Sequence, residues 1–328
     1  MSTRRLSSLA FAGICLLLTG PALAEPTAQA SRLVAPRTAP APLLDVNDLR
    51  AVLSRPEVRL LDIRAPQDFA AGHIPGAVNT PYGQYRGPAD NPGKLPTAEH
   101  LTQVVQRAGI RANQHVIVIH GGSNHTDFGA AARVYWTLKV GGLTRLSVVD
   151  GGLRAWKEAG GELATEAQQV EPSDFTYVYD ERQIVTREQL AQTLGNGDTA
   201  RLLDARPAPF FKGEVKPATA ARYGTLPGAD SFDNAQFFAA DGFRLKPRAE
   251  LLALVQQTGA DQGDTVSFCN TGHWAATNWF VISEIAGNKA ARMYPASMVE
   301  WSRSELPMEN QPSRFGALLQ DLSNALNK

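Results

Sequence analysis

The stretch Arg59-Leu60-Leu61-Asp62-Ile63-Arg64 returns 142 residues later as Arg201-Leu202-Leu203-Asp204-Ala205-Arg206, and that echo decides how the chain is read. Outward from it, Gly72-His73-Ile74-Pro75-Gly76-Ala77 returns as Gly224-Thr225-Leu226-Pro227-Gly228-Ala229, with an intervening loop ten residues longer in the second copy. Val116-Ile117-Val118-Ile119-His120 matches Thr265-Val266-Ser267-Phe268-Cys269, so His120 occupies the place of Cys269. Ser147-Val148-Val149-Asp150-Gly151-Gly152 with Trp156 matches Arg292-Met293-Tyr294-Pro295-Ala296-Ser297 with Trp301. Four blocks in one order are the mark of an internal duplication.

Each copy alternates short apolar or β-branched runs with longer helical patterns such as Ala98 to Ala108 and Arg248 to Thr258. That alternation predicts an α/β fold in which each copy is a mostly parallel sheet with helices on both faces. A chain of 328 residues suits two such domains of about 150 residues. The expected organisation is a signal segment over 1–24, a flexible Ala/Pro leader over 25–42, a first domain over 43–160, a polar linker over 161–180, a second domain over 181–306 and a helical tail over 307–328. The tail sets Phe315, Leu318, Leu319, Leu322 and Leu326 on one helical face, which predicts packing against the body.

With 43% hydrophobic and 20% charged residues and a mean hydropathy of −0.21, the composition is that of a folded globular chain. The 32 basic residues balance 32 acidic ones, which argues against a polyanion or nucleic-acid partner. Arg4 and Arg5 ahead of the apolar run Leu9 to Leu18, then Ala22-Leu23-Ala24, predict a cleaved export signal and a periplasmic location. Ten apolar residues fall short of the ~20 needed to span a bilayer, so no stable membrane association is expected. Cleavage after Ala24 removes Arg4, Arg5 and Cys15, which leaves a net charge of about −2 and a single cysteine, Cys269. No internal disulfide is then possible.

Around that cysteine the chain reads Phe268-Cys269-Asn270-Thr271-Gly272-His273-Trp274-Ala275, running into a helical pattern from Thr277 to Ala286. A strand ending at a thiol, with a helix starting about five residues later, turns loop amides and a helix N-terminus toward the sulfur. Such a cradle lowers a thiol's pKa and stabilises a persulfide or an incoming anion. The other reading makes Cys269 a small buried hydrophobe at a strand end. The loop taken alone leaves both open.

The order strand-Asp-x-Arg, Gly-His-Ile-Pro-Gly-Ala, strand-Cys-loop-helix and Val-x-Asp-Gly-Gly-x-x-x-Trp resembles the tandem-domain rhodanese sulfurtransferases, from about Leu43 to Glu305. The resemblance implies a first domain without its cysteine and a catalytic second domain. It implies attack by Cys269 on a small anionic donor, thiosulfate or 3-mercaptopyruvate, and passage of the sulfur to cyanide or a thiol. It makes Arg206 the donor-binding arginine and Asn270, Thr271, Gly272, His273 and Trp274 the substrate-binding loop, with Lys212 and Arg222 as weaker candidates. Arg64, at the matching place, is expected to pair structurally. No cofactor or metal is expected, and the protein is expected to act as a monomer.

Within the loop the sequence departs from the family. Thiosulfate-preferring members resemble Cys-Arg-Lys-Gly and mercaptopyruvate-preferring ones Cys-Gly-Ser-Gly, whereas Asn270 and Thr271 are neutral and His273 is the only titratable group. His273 is either an anion ligand when protonated or a solvent-facing residue. A related phosphatase would carry an arginine about six positions after the cysteine, where Ala275 stands. His120 and His125 flank what reads as a vestigial loop. The non-enzymatic alternative is a persulfide carrier or binding module.

Overall fold

The computed structural model describes residues 39–196 and 200–326, so the expected signal segment and most of the leader lie outside the described residues. The first half runs β1 (Leu43–Leu44), α1 (Val46–Val52), β2 (Val58–Asp62), α2 (Pro66–Ala70), β3 (Ala77–Asn79), α3 (Ala98–Arg107), β4 (His115–Ile119), α4 (His125–Val140), β5 (Leu146–Val149) and α5 (Gly152–Glu158). The second runs α6 (Arg187–Asn196), β6 (Arg201–Asp204), α7 (Ala208–Phe211), β7 (Asp230–Ser231), α8 (Arg248–Gln257), β8 (Thr265–Phe268), α9 (Trp274–Trp279), a π-helical turn over Phe280–Ile285, β9 (Ala291–Met293) and α10 (Ser297–Trp301). The tail forms α11 (Arg314–Leu326).

The halves carry one topology. Sheet order is β1-β5-β4-β2-β3 in the first and β7-β6-β8-β9 in the second, with every pairing parallel. Leu60 pairs with Ile117 and Leu202 with Val266, so the repeated blocks meet in the same register. Among the described residues the second sheet has no counterpart of β1 as a strand. A parallel bridge from Ile184 to Met293 takes its place. Strands β4 and β8 are buried throughout, as parallel strands covered on both faces must be, which is why they read as apolar runs.

Helix α4 joins the halves. Asn124 caps it by accepting from the amides of Thr126 and Asp127. Its residues from Phe128 to Leu138 are all buried, because one side lies on its own sheet and the other on the second half. Phe128 meets Phe280 edge-on at 5.7 Å and Tyr135 meets Phe280 at 5.1 Å. Each such buried aromatic contributes roughly 1.5–3 kcal/mol, so one continuous core spans both halves. Glu284 accepts from Tyr135 and Lys139 at the edge of this seam.

The expected linker has no regular element, yet it is tied down: His73 and Ala164 exchange backbone hydrogen bonds, and Tyr177 is buried with its hydroxyl on the Thr137 carbonyl. The tail departs from expectation. Phe315, Leu318 and Leu319 face solvent, because α11 is held by polar contacts, Tyr223 donating to Asp321, and not by its apolar stripe. The side chains of Leu322 and Leu326 lie outside the described residues. Among the described residues no helix is long and apolar enough to cross a membrane.

Candidate active site

Strand β8 ends at Phe268 and delivers Cys269, 1% exposed, to a loop that closes at Trp274 with the start of α9. The start of α10 stitches this loop from behind. Ser297 Oγ accepts from the Cys269 amide at 3.1 Å, and the Cys269 and Asn270 carbonyls accept from the amides of Met298 and Val299 at 3.0 Å each. Gly272 has φ +67°, and a Cβ there would collide with Arg133 Nη1 and the Pro295 carbonyl oxygen. Only glycine fits that turn.

The amides of Asn270, Thr271, Gly272 and His273 find no acceptor among the described residues. Unsatisfied N–H groups beside a thiol form a nest that favours negative charge.

The second wall of the site comes from the first half. Arg133, fully buried on α4, donates from Nη1 to the Gly272 carbonyl at 3.1 Å and from Nη2 to the Gly93 carbonyl at 3.0 Å. Tyr82 donates its hydroxyl to His273 Nδ1 at 2.8 Å, while His273 Nε2 donates to the Thr126 carbonyl at 2.5 Å. These two bonds assign the neutral tautomer. Burial, followed by the charge of Arg86, pushes the His273 pKa down to about 4. His273 is therefore neither a cationic anion ligand near neutral pH nor a solvent-facing residue. Trp274 Nε1 donates to Thr126 Oγ1 at 3.0 Å and its ring meets Phe210. His273 and Trp274 thus fasten the loop to α4.

Arg206 is engaged mainly by Asp204. Its Nε reaches both Asp204 oxygens at 2.8 and 3.0 Å, and its Nη2 donates to Asp204 Oδ2 at 2.6 Å and to the Gly224 carbonyl at 2.9 Å. Only Nη1 turns toward the loop, on Asn270 Oδ1 at 3.3 Å. Arg64 makes the same fork on Asp62 and the Gly72 carbonyl. Both arginines are bound to the aspartate two residues earlier, so the duplication preserved a structural pair. Arg222 is taken up by the carbonyls of Ser302, Ser304 and Leu306, and Lys212 is exposed.

Sequence reasoning missed Arg133, Arg86, Tyr82 and Ser297. A lone arginine inside the apolar run Ala130-Ala131-Ala132-Arg133-Val134-Tyr135-Trp136 was the available signal for the first. A serine where the other copy has Gly152 was the signal for the last.

Residues 45–159 match the family model described as Rhodanese-like domain. The thiosulfate sulfurtransferase of Azotobacter vinelandii is 30% identical to this chain, over 81% of the chain and 96% of its own length. The chain belongs to the rhodanese family. A second relative, the thiosulfate sulfurtransferase SseB of Mycobacterium tuberculosis, is 34% identical over 75% of the chain and 88% of its own length. The crystal structure of SseA from Escherichia coli, described as a 3-mercaptopyruvate sulfotransferase, superposes with a TM-score of 0.68 at 23% identity, over 79% of this chain and 99% of that one.

The two rhodanese loops differ in what fills them. In the first, the Asp127 carboxylate accepts from the amides of Gly122 at 2.6 Å and Ser123 at 3.0 Å, with buried His120 Nδ1 at 3.3 Å. Burial pushes this carboxyl up, but the hydrogen bonds from His120 and the two amides outweigh it and hold its pKa well below the usual carboxylate range. A cleft of roughly 530 Å³ opens beside this loop, between Arg64, Arg154 and Lys157, and none of its lining belongs to the Cys269 loop. The rhodanese nest of the first half is occupied by the chain's own anion. In the second half Ala276 stands at the matching position and supplies no carboxylate to the nest.

Proposed function

We propose that the protein transfers sulfane sulfur from thiosulfate to cyanide or a thiol through a persulfide on Cys269. The observation that carries this reading is the contrast between the nests: the one around His120 holds a carboxylate, and the one around Cys269 has four amides without an acceptor among the described residues. The Cys269 thiolate attacks the outer sulfur of thiosulfate; the new S–S bond forms as the donor's S–S bond breaks, and sulfite leaves with the bonding pair. The terminal persulfide sulfur carries the negative charge that the free amides can meet. Attack of cyanide on that outer sulfur releases thiocyanate and regenerates the thiolate. The leaving groups are stable anions, so the absence of a titrating acid at His273 is no obstacle.

Mass spectrometry after incubation with thiosulfate tests this, with one added sulfur expected on Cys269 and none on Cys269→Ser. Absence of the adduct from wild type with thiosulfate and its appearance with 3-mercaptopyruvate would transfer the reading to that donor. The reading includes export to the periplasm, which Arg4, Arg5, the run Leu9 to Leu18 and Ala22-Leu23-Ala24 support. N-terminal sequencing of periplasmic protein is expected to begin near Glu25.

A further inference from the structure

Two arginines of the first half stand beside the Cys269 loop without an anion. The matching arginines of the two strand ends do have partners, Arg206 with Asp204 and Arg64 with Asp62. Arg133 and Arg86 have no carboxylate within ion-pair distance among the described residues. Arg133 Nε and Arg86 Nη1 are both buried and lack any hydrogen-bond partner. Burying an unpaired charge is costly, and the cost is greater for two like charges together. Their mutual effect is visible, since burial and then the charge of Arg86 push the Arg133 pKa down to about 10.

Their position relates this charge to the thiol. Arg133 holds the Gly272 carbonyl, three residues from Cys269. Arg86 lies over the ring of Tyr82, 5.2 Å from its centroid, and Tyr82 bonds His273 of the same loop. Gly93, whose carbonyl Arg133 also holds, lies against Pro295 and Ala296 beside Ser297. The loop itself supplies no cation: Asn270 and Thr271 are neutral, His273 is uncharged, and Arg206, which reaches it with Nη1 alone, is charge-paired with Asp204.

We infer that Arg86 and Arg133 of the first half bind the oxyanion head of the sulfur donor, so that the silent half supplies the cations missing from the catalytic loop. This rests on the sulfur-transfer reading above. Two guanidiniums with unused donors, beside four amides without an acceptor among the described residues, suit the dianion thiosulfate, with its three head oxygens, better than a monoanionic carboxylate. Arg86 is the anion ligand that a substitution can isolate, because its side chain holds no backbone group. Arg133 also positions Gly272.

The test uses Arg86→Gln and Arg86→Lys in the full chain, each with Cys269 intact and with Cys269→Ser. With cyanide as acceptor, Arg86→Gln is expected to raise the thiosulfate KM about tenfold or more, the effect of one lost charge-assisted hydrogen bond, and to leave the cyanide KM unchanged. Arg86→Lys restores part of the loss. In Cys269→Ser, calorimetry is expected to show thiosulfate binding that Arg86→Gln weakens by a similar factor. Wild-type turnover with an unaltered thiosulfate KM in Arg86→Gln would overturn the anion site and leave the sulfur-transfer reading standing. Arg86-dependent thiosulfate binding by Cys269→Ser, with no transfer by the wild type, would do the reverse. Neither binding nor turnover would remove both.

Discussion

Ser297 Oγ accepts the hydrogen bond of the Cys269 amide at 3.1 Å, and it does so from left-handed backbone, φ +55°. Gly152, at the matching place in the first half, has φ +57°. The turn is inherited, but in the second half a side chain has been placed in it. That position costs about 1–2 kcal/mol for a non-glycine residue, and the hydroxyl it presents also donates to the Tyr294 carbonyl at 2.8 Å. The hydroxyl carried on this strained turn fixes the cysteine's amide.

Ser297→Ala keeps the strain and leaves the buried Cys269 amide without its acceptor, so it is expected to destabilise the protein by about 1–3 kcal/mol. Ser297→Gly loses the same bond but relaxes the backbone, and is expected to be the more stable of the two. Urea denaturation of both variants checks this; an alanine variant as stable as wild type would show that the hydroxyl does not hold the loop.

Cys269→Ser is expected to abolish sulfur transfer with the fold intact, since an oxygen there cannot carry a sulfane sulfur. Thiocyanate production and circular dichroism, measured on the same preparation, decide it. Turnover at the wild-type rate would show that another group is the nucleophile.

Arg206→Ala and Arg64→Ala are both expected to lower stability, because each strands a fully buried aspartate. The loss is expected to be about 3–5 kcal/mol at Arg206, whose side chain is 3% exposed, and smaller at Arg64, 12% exposed, where water relieves the stranded charge. Thermal melts of the two variants test the order. A destabilisation at Arg64 alone would contradict the shared structural role.

His273 carries the pH dependence. Its folded pKa, about 4, lies below the unfolded value near 6.5, so the unfolded chain binds the proton first. The stability tied to the neutral ring is complete above the unfolded value and is lost as pH falls toward the folded one, up to about 3 kcal/mol. His273→Gln is expected to flatten the stability profile between pH 6.5 and 4 relative to wild type. Parallel profiles in that window would mean that the ring does not titrate on unfolding.

The fold was legible because its signals are local and repeated. Apolar runs such as Val116 to Ile119 mark strands buried on both faces, and the repeated Leu-Leu-Asp blocks carry their own register, Leu60 on Ile117 and Leu202 on Val266. Helix limits followed as well: α3 and α8 end at Arg107 and Gln257, one residue short of the expected ends, where Ala108 and Thr258 act as caps. The cysteine loop was legible for the same reason. The charges around it were not, because which arginine is spent on an aspartate and which stays unpaired depends on residues far apart in the chain. Arg206 lies two residues from its carboxylate, whereas Arg133 reaches across 139 residues to the Gly272 carbonyl. The amphipathic tail misled for a related reason: a stripe shows which face is apolar, not whether a partner surface faces it.

Helix α4 carries the hinge question for the whole molecule. It is buried along nearly its whole length, and on it sit Arg133, which props Gly272, and Thr126, which anchors His273 and Trp274. Parting the halves would therefore undo the supports of the Cys269 loop and strip the shared core in one event. The second half, which owns the only cysteine of the described chain, is not self-sufficient: cut free at the linker, it would keep Cys269 and lose the scaffold that shapes the loop around it.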